Sequence, residues 1–164
     1  MGTTRSKLSI IIPVYNEETT VEKVLDTVQA VDVGMEKELV VVDDGSTDGT
    51  ADAVRRAAER LRGSGVRIAS VVGFPLGAST PEIKAMEARR ALRDGAREID
   101  MVLNIGALKS GDYALVERDV AGVSDACREV GALNKVIIEA AYLTDEEKVV
   151  ACRLAVAGRA HYVK

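Results

Sequence analysis

Aromatic residues, histidine and cysteine are scarce in this sequence. It has no Trp, one Phe, four Tyr and one His among its 164 residues. A hydrophobic content of 47% must therefore come mainly from Val, Ile, Leu and Ala, which predicts the aliphatic core typical of parallel strands buried on both faces. The length suits one domain, and we expect residues 1–164 to form a single α/β domain.

Several functional classes lack their usual signals. Cys127 and Cys152 fall in predicted helices without metal-ligand spacing, so we expect reduced packing residues and neither a metal site nor a cofactor. The net charge is −4 and no basic tract occurs, which argues against nucleic acid or an anionic membrane as a partner. No apolar run approaches the roughly 20 residues that cross a bilayer. Residues 1–7 resemble a short solvated lead-in, and we expect a cytoplasmic protein.

Short apolar runs rich in β-branched residues alternate with helical patterns. The predicted strands are residues 8–14, 38–42, 66–72, 98–103, 135–138 and 161–163. The predicted helices lie around residues 21–28, 50–62, 80–95, 112–130 and 144–158, with capping residues such as Thr80 and Thr144 at their starts. Strands separated by single helices run parallel with right-handed crossovers.

Two α/β arrangements fit six parallel βα units. One is an incomplete, TIM-barrel-like curled sheet with its helices outside, and the other is an open, doubly wound, Rossmann-like three-layer sheet. An incomplete barrel exposes strand edges, which favours association of the chain with itself as a homo-oligomer. In both arrangements the chemistry collects at the carboxyl ends of the strands, where residues 15–17, 43–46, 73–77, 104–106, 139 and 164 fall.

Residues 8–18 and 40–50 form two strand-and-loop motifs, the second ending in a pair of aspartates. Over residues 7–57 they resemble the nucleotide-binding start of family 2 glycosyltransferases, particularly the dolichol-phosphate mannosyltransferase-like group. The resemblance implies that the base and ribose of a nucleotide-sugar contact Pro13, Tyr15, Glu17, Asp43 and Asp44. The alternative is that residues 43–48 only form a turn and a helix cap. No Asp-x-Asp metal motif follows residue 51, so we do not expect sugar transfer.

The second part of the chain carries a different set of motifs, at residues 73–77, 98–109, 135–139 and 157–164. Over residues 61–164 they resemble the third to sixth strands of the eight-stranded barrel of deoxyribose-phosphate aldolase. The resemblance implies that Lys164 is the Schiff-base nucleophile and that Asp100 shuttles protons through water.

Other observations on this segment point away from catalysis. The family's second lysine, on its seventh strand, lies beyond this sequence, and Ala140 stands where the family usually has Thr. We expect the last residue to fray. A solvated terminal lysine is therefore the alternative for Lys164, and a buried structural carboxylate is the alternative for Asp100. We expect His161 to pack or to solvate a strand edge rather than act as a general base.

The two resemblances meet between residues 53 and 61, inside the second predicted helix. Its apolar positions keep an uninterrupted i, i+3, i+4, i+7 stripe there, which suggests a chimera made by design or by recombination. Our main hypothesis is a chimeric scaffold that lacks a complete active site and is not an enzyme. One alternative is a residual class I aldolase of the deoxyribose-phosphate type, an aldehyde-lyase. The other is a remnant that weakly binds a nucleotide, a nucleotide-sugar or a sugar phosphate.

Overall fold

The computed structural model describes residues 7–43, 46–60 and 67–164. Strands and helices alternate along the chain in the order β1 Lys7–Val14, α1 Val21–Ala30, β2 Glu36–Asp43, α2 Thr50–Arg60, β3 Ile68–Val72, α3 Pro81–Arg93, β4 Glu98–Val102, α4 Ile105–Lys109, α5 Tyr113–Arg128, β5 Leu133–Ile137, α6 Asp145–Ala157 and β6 Tyr162–Val163. The predicted α/β class with parallel strands is confirmed. Two short elements were not predicted, α4 and a 3₁₀ turn at Ala140–Tyr142.

The chain divides into two compact units, Met1–Ser70 and Val71–Lys164, which we name the N-terminal and C-terminal units. Strand β3 contributes its first three residues to the N-terminal unit and its last two to the C-terminal unit. The single-domain organisation stays a prediction. None of the helices among the described residues is both long and apolar enough to cross a membrane.

In the N-terminal unit, β1 and β2 pair in parallel over eight residues, from Lys7 opposite Glu36 to Val14 opposite Asp43. Strand β2 also pairs in parallel with β3. The buried side chains come from all three strands and from one face each of α1 and α2. The stripe predicted for α2 is Val54, Ala57, Ala58 and Leu61. Of these Ala57 is buried, and Val54 and Ala58 are partly buried against the same core; Leu61 lies outside the described residues.

In the C-terminal unit, β4 is buried at all five positions and pairs in parallel with β5, which pairs in parallel with β6. Helices α3, α5 and α6 bury aliphatic side chains against these strands, in a core that includes Leu92, Ile99, Val116, Val120, Val136 and Ala151. The predicted caps are confirmed. Thr80 accepts a hydrogen bond from the backbone N–H of Ile83, and Thr144 forms a complete capping box with Glu147.

A buried ion pair joins α3 and α5 to the end of β4. The Lys84 ammonium donates to the Asp119 carboxylate and, over 2.9 Å, to the backbone carbonyl of Val102. Burial lowers the pKa of Lys84 and raises the pKa of Asp119, against the opposing effect of the pairing itself. The ion pair therefore holds the carboxyl end of β4 against α3 and α5.

The two cysteines have different surroundings. Both are free; Cys127 is buried, whereas Cys152 is exposed on α6. Burial raises the pKa of the Cys127 thiol to about 12, as expected for an inert packing residue. The packing role predicted for Cys152 is wrong, because helix α6 turns this side chain to the surface.

Candidate active site

The two residues proposed for catalysis meet in the C-terminal unit. The Nζ of Lys164 lies 2.8 Å from Oδ2 of Asp100, which is completely buried in β4. The side chain of Lys164 is 45% exposed. The amine can therefore be reached from solvent while it contacts a carboxylate that is buried.

The backbone explains why these side chains converge. In the parallel ladder Asp100 lies opposite Lys135 on β5, and Lys135 lies opposite Tyr162 on β6. The ladder continues one residue past β6. The amide of Lys164 donates to the carbonyl of Val136 over 2.8 Å, and the carbonyl of Lys164 accepts from Ile138 over 3.0 Å. Both backbone groups of the last residue are thus hydrogen-bonded, one to β5 and one to the residue that follows it; its fraying stays a prediction.

Lys135 is a member of the site that the sequence analysis missed. Its Nζ lies 2.6 Å from Oε2 of Glu98 and 3.2 Å from Oδ1 of Asp100. Burial acts to lower the pKa of Lys135, but its hydrogen bond to Glu98 and the charges of Asp100 and Glu98 outweigh burial and raise the pKa. The signal available in the sequence was a lysine at the start of an otherwise mostly apolar predicted strand, residues 135–138.

We name Glu98, Asp100, Lys135 and Lys164 the charged cluster. Its two carboxylates are at most 2% exposed, and its two ammonium groups balance their charge. The cluster offers an accessible primary amine, that of Lys164, in direct contact with a proton acceptor, the Asp100 carboxylate. The ammonium group of Lys135 lies on the other oxygen of that carboxylate. Within the described residues no group of three or more His, Cys, Asp or Glu side chains is placed to hold a metal ion.

His161 lies outside the charged cluster, as expected. Its ring Nδ1 is 2.7 Å from Oδ1 of Asn134, and its backbone amide donates to the carbonyl of Asn134. The sole histidine thus contacts a neighbouring strand and none of the acidic groups of the site.

The residues proposed for nucleotide binding lie in the N-terminal unit. Pro13 and Tyr15 are exposed, the latter at 60%. The carboxylate of Glu17 accepts a hydrogen bond from the Thr20 hydroxyl, and its amide donates to the Thr50 hydroxyl over 2.7 Å. Asp43 ends β2, and Asp44 lies outside the described residues. The nucleotide site stays a prediction.

The loops that follow β1 and β2 are tied to each other. The amide of Asn16 donates to the Ser46 hydroxyl over 3.0 Å, and the Asn16 side chain accepts from the amide of Thr47 over 2.9 Å. Asp48 accepts from the amide of Thr50 at the start of α2. Its other oxygen accepts from the amide of Glu18 over 3.3 Å. The Asp48 carboxylate thus bonds at the start of α2 and to the loop after β1, and the turn-and-cap alternative for residues 43–48 stays a prediction.

Comparison with known proteins yields two matches. The sequence model of the family described as Glycosyl transferase family 2 matches residues 9–70. The deoxyribose-phosphate aldolases of Aciduliprofundum boonei and Brevibacillus brevis are 58% and 57% identical over 111 residues, which is 68% of this chain and 50% and 49% of those proteins. The chain spans about half the length of the curated relatives it matches.

Solved structures give a similar result. A structure described as QR15, an aldolase, has a TM-score of 0.75 at 26% identity. The match covers 99% of this chain and 67% of the chain in that structure. A deoxyribose-phosphate aldolase from Aeropyrum pernix, described as having a unique tetrameric structure, has a TM-score of 0.73 at 26% identity. The match covers 97% of this chain and 61% of that aldolase chain. These similarities confirm the curled, barrel-like alternative for the fold class.

Both predicted resemblances are confirmed, and both matches extend beyond the predicted boundary between them. The glycosyltransferase match continues past residue 57 to Ser70, where the N-terminal unit also ends. An aldolase match of 111 residues is longer than the C-terminal unit, so it includes residues before Val71 and overlaps the other match. This chain joins a segment similar to family 2 glycosyltransferases to a longer segment similar to deoxyribose-phosphate aldolases.

Proposed function

We propose that the chain performs class I aldolase chemistry of the deoxyribose-phosphate type, with a Schiff base on Lys164. The observation that carries this proposal is the 2.8 Å contact between the accessible Lys164 amine and the buried Asp100 carboxylate. The curated aldolase relatives support it over the inert chimeric scaffold that the sequence analysis favoured. The corresponding enzyme class is aldehyde-lyase.

The first requirement of the reaction is a neutral amine, because an ammonium group has no electron pair to donate. Asp100 is the acceptor in contact with Nζ, so a proton passes from Lys164 to Asp100. This transfer removes one positive and one negative charge together and leaves the net charge of the buried cluster unchanged. The pair of Lys135 with Glu98 stays intact during the transfer.

The free amine then attacks the carbonyl carbon of the substrate. The carbonyl oxygen takes up protons and leaves as water, and a protonated C=N bond forms. This iminium accepts the electron pair of the breaking carbon–carbon bond, while the hydroxyl on the departing carbon gives its proton through water to the Asp100 carboxylate and becomes an aldehyde. Asp100 lies where it can return a proton, through water, to the resulting enamine carbon, after which water releases the product from Lys164.

Lys135 has a supporting part in this proposal. It holds Oδ1 of Asp100 while Lys164 contacts Oδ2, so the carboxylate presents one fixed oxygen to the amine. Orientation of a proton acceptor within hydrogen-bond reach is a requirement for general acid–base catalysis.

The experiment is an assay of 2-deoxyribose 5-phosphate cleavage in which the release of acetaldehyde is measured. We expect measurable turnover by the intact chain, none by Lys164→Arg, and a loss of about 10²–10⁴-fold in kcat for Asp100→Asn. Lys109→Arg is the matched control, because Lys109 lies outside the charged cluster and pairs with Glu147. Equal rates for the intact chain and Lys164→Arg would refute the proposal.

We further propose that copies of the chain associate through β6. In the C-terminal unit this strand is paired with β5, and its side chains Tyr162 and Val163 are 56% and 39% exposed. An edge strand with exposed apolar side chains favours pairing with another chain. Sedimentation should show a species larger than the monomer that Val163→Lys reduces to the monomer; an unchanged distribution for the variant would contradict association through β6.

A further inference from the structure

A chain of polar groups runs from Ser124 on α5 through Asn134 on β5, both buried, to His161, which is exposed and precedes β6. Asn134 is completely buried, and its Nδ2 donates to the Ser124 hydroxyl over 2.8 Å. Its Oδ1 lies 2.7 Å from Nδ1 of His161 and 3.2 Å from the backbone nitrogen of His161. None of these groups belongs to the charged cluster. A buried amide among aliphatic neighbours is retained at a cost in desolvation, so its contacts call for an explanation.

The orientation of the Asn134 side-chain amide can be assigned by starting from the Ser124 hydroxyl. The Ser124 hydroxyl contacts two backbone carbonyls, Gly158 at 2.6 Å and Val120 at 2.9 Å, and carbonyls only accept. The Ser124 hydrogen is therefore used, and its oxygen must accept from the amide of Asn134. That fixes Nδ2 towards α5 and Oδ1 towards His161. The ring nitrogen Nδ1 of His161 lies 2.7 Å from this Oδ1 and also accepts from the backbone N–H of Asn134 over 3.2 Å.

The placement of Lys164 depends on the strand that follows His161. Strand β6 has only two residues, so few ladder hydrogen bonds determine its register against β5. A slip of one residue would turn each side chain to the opposite face of the sheet. The Lys164 amine would then face away from Asp100. The contact between His161 and Asn134 lies at the first position where this segment meets β5.

The connection before β6 is also closely packed. A Cβ on Gly158 would lie 2.5 Å from Cγ1 of Val120, so the end of α6 contacts α5 directly. Arg159 adopts a left-handed conformation, φ 64°, and pairs with Asp125 on α5. The segment thus leaves α6 in one defined position, and the contact between His161 and Asn134 determines its alignment with β5.

We propose that Asn134 and His161 are positioning residues that set the register of β6 and so hold the Lys164 amine against Asp100. The consequence for catalysis rests on the proposed function, but the placement of Lys164 can be measured without substrate. The buried side-chain amide of Asn134 selects the aligned register because a slipped strand would leave its Oδ1 without the backbone N–H donor of His161.

The experiment uses the full chain with His161→Asp, His161→Asn and Asn134→Leu. Aspartate at position 161 offers only acceptors and so places one against Oδ1, whereas asparagine offers both a donor and an acceptor near the place of Nδ1. The backbone amides of Lys164 and Ile138 report the β5–β6 ladder, and the amide of Leu103, which donates to Ile137, reports the β4–β5 ladder. Thr144→Ala controls for general destabilisation, since it removes a cap of α6 that lies outside this polar chain.

We expect His161→Asp and Asn134→Leu to speed hydrogen exchange at Lys164 and Ile138 by about tenfold, with Leu103 unchanged. The acetylation rate of the Lys164 amine by an N-hydroxysuccinimide ester, measured by peptide mass spectrometry, should rise in the same variants as its ion pair is released. His161→Asn should restore the native exchange and acetylation rates, and Thr144→Ala should leave both unchanged.

Native exchange and acetylation rates in both His161→Asp and Asn134→Leu would overturn the proposal. So would an equal rise at Leu103 in His161→Asp, because it would indicate general unfolding, and so would failure of His161→Asn to restore the rates. If the unaltered chain shows no turnover, the proposed function fails. Exchange and acetylation still decide the register proposal in that case.

Discussion

Removal of the Lys135 ammonium is the perturbation whose cost the structure defines best. Lys135→Met keeps an unbranched side chain that is one atom shorter, and it deletes a cation that is within 3.2 Å of two carboxylates. Those carboxylates are at most 2% exposed, so solvent cannot replace the lost partner. Only Lys164 remains to balance them, and its contact is with Asp100.

The expected loss in the free energy of unfolding is about 3 kcal/mol, at the lower end of the range for breaking a buried ion pair, because Asp100 keeps one partner. Urea unfolding at pH 7, followed by far-ultraviolet circular dichroism, measures this loss. Lys109→Met is the matched control, since it also converts a paired lysine to methionine. The Lys109 side chain is 43% exposed, so solvent screening should make its effect small.

The same variant gives a pH dependence with a defined sign. Because the folded-state pKa of Lys135 is raised, its charge stabilises the fold fully below the ordinary lysine value of 10.5, and that stability is lost as the pH rises through the folded pKa. The stability difference between the unaltered chain and Lys135→Met should therefore shrink in strongly alkaline solution. A cost no larger than that of Lys109→Met, or a difference that grows with alkaline pH, would refute the electrostatic account of the cluster.

Three further predictions concern packing and capping in the C-terminal unit, each read out by urea unfolding. Lys84→Met should cost about 3–5 kcal/mol, and adding Asp119→Leu should recover most of it, because an apolar pair removes the uncompensated buried charge; a double variant less stable than Lys84→Met would contradict this. Gly158→Ala should cost about 1–3 kcal/mol through the close approach of its Cβ to Val120. An unchanged urea midpoint would show that α5 shifts at no cost to accommodate the added Cβ. Thr144→Ala should cost about 1 kcal/mol from the lost cap of α6, whereas a gain in stability would exclude the capping role.

Much of the fold could be predicted from the sequence, because hydrophobic periodicity and capping residues are local signals. The start of α6 at the Thr144 cap is an example. Boundaries were less predictable where charged residues enter a strand. Strand β2 begins at Glu36 rather than residue 38, since its first residues pair with β1 through backbone groups that the apolar pattern does not reveal. The five-residue helix α4 is too short to show a period.

The candidate site was predictable only in part. Lys164 and Asp100 followed from a family resemblance together with the rule that chemistry gathers at strand ends. Lys135 was missed because its role depends on the register of β5 against β4, which places its amine between Glu98 and Asp100. The contact between Asn134 and His161 was missed for the same reason. Register is a tertiary property, and side-chain partners across strands follow from it.

The most direct test of the central claim is covalent trapping at Lys164. The full chain is incubated with acetaldehyde and sodium borohydride, which reduces a Schiff base to a stable secondary amine, and the modified peptide is identified by mass spectrometry. The proposed chemistry predicts an adduct on Lys164, a much slower one in Asp100→Asn, and no comparable labelling of Lys109. Absence of the Lys164 adduct, or labelling spread evenly over the exposed lysines, would contradict it.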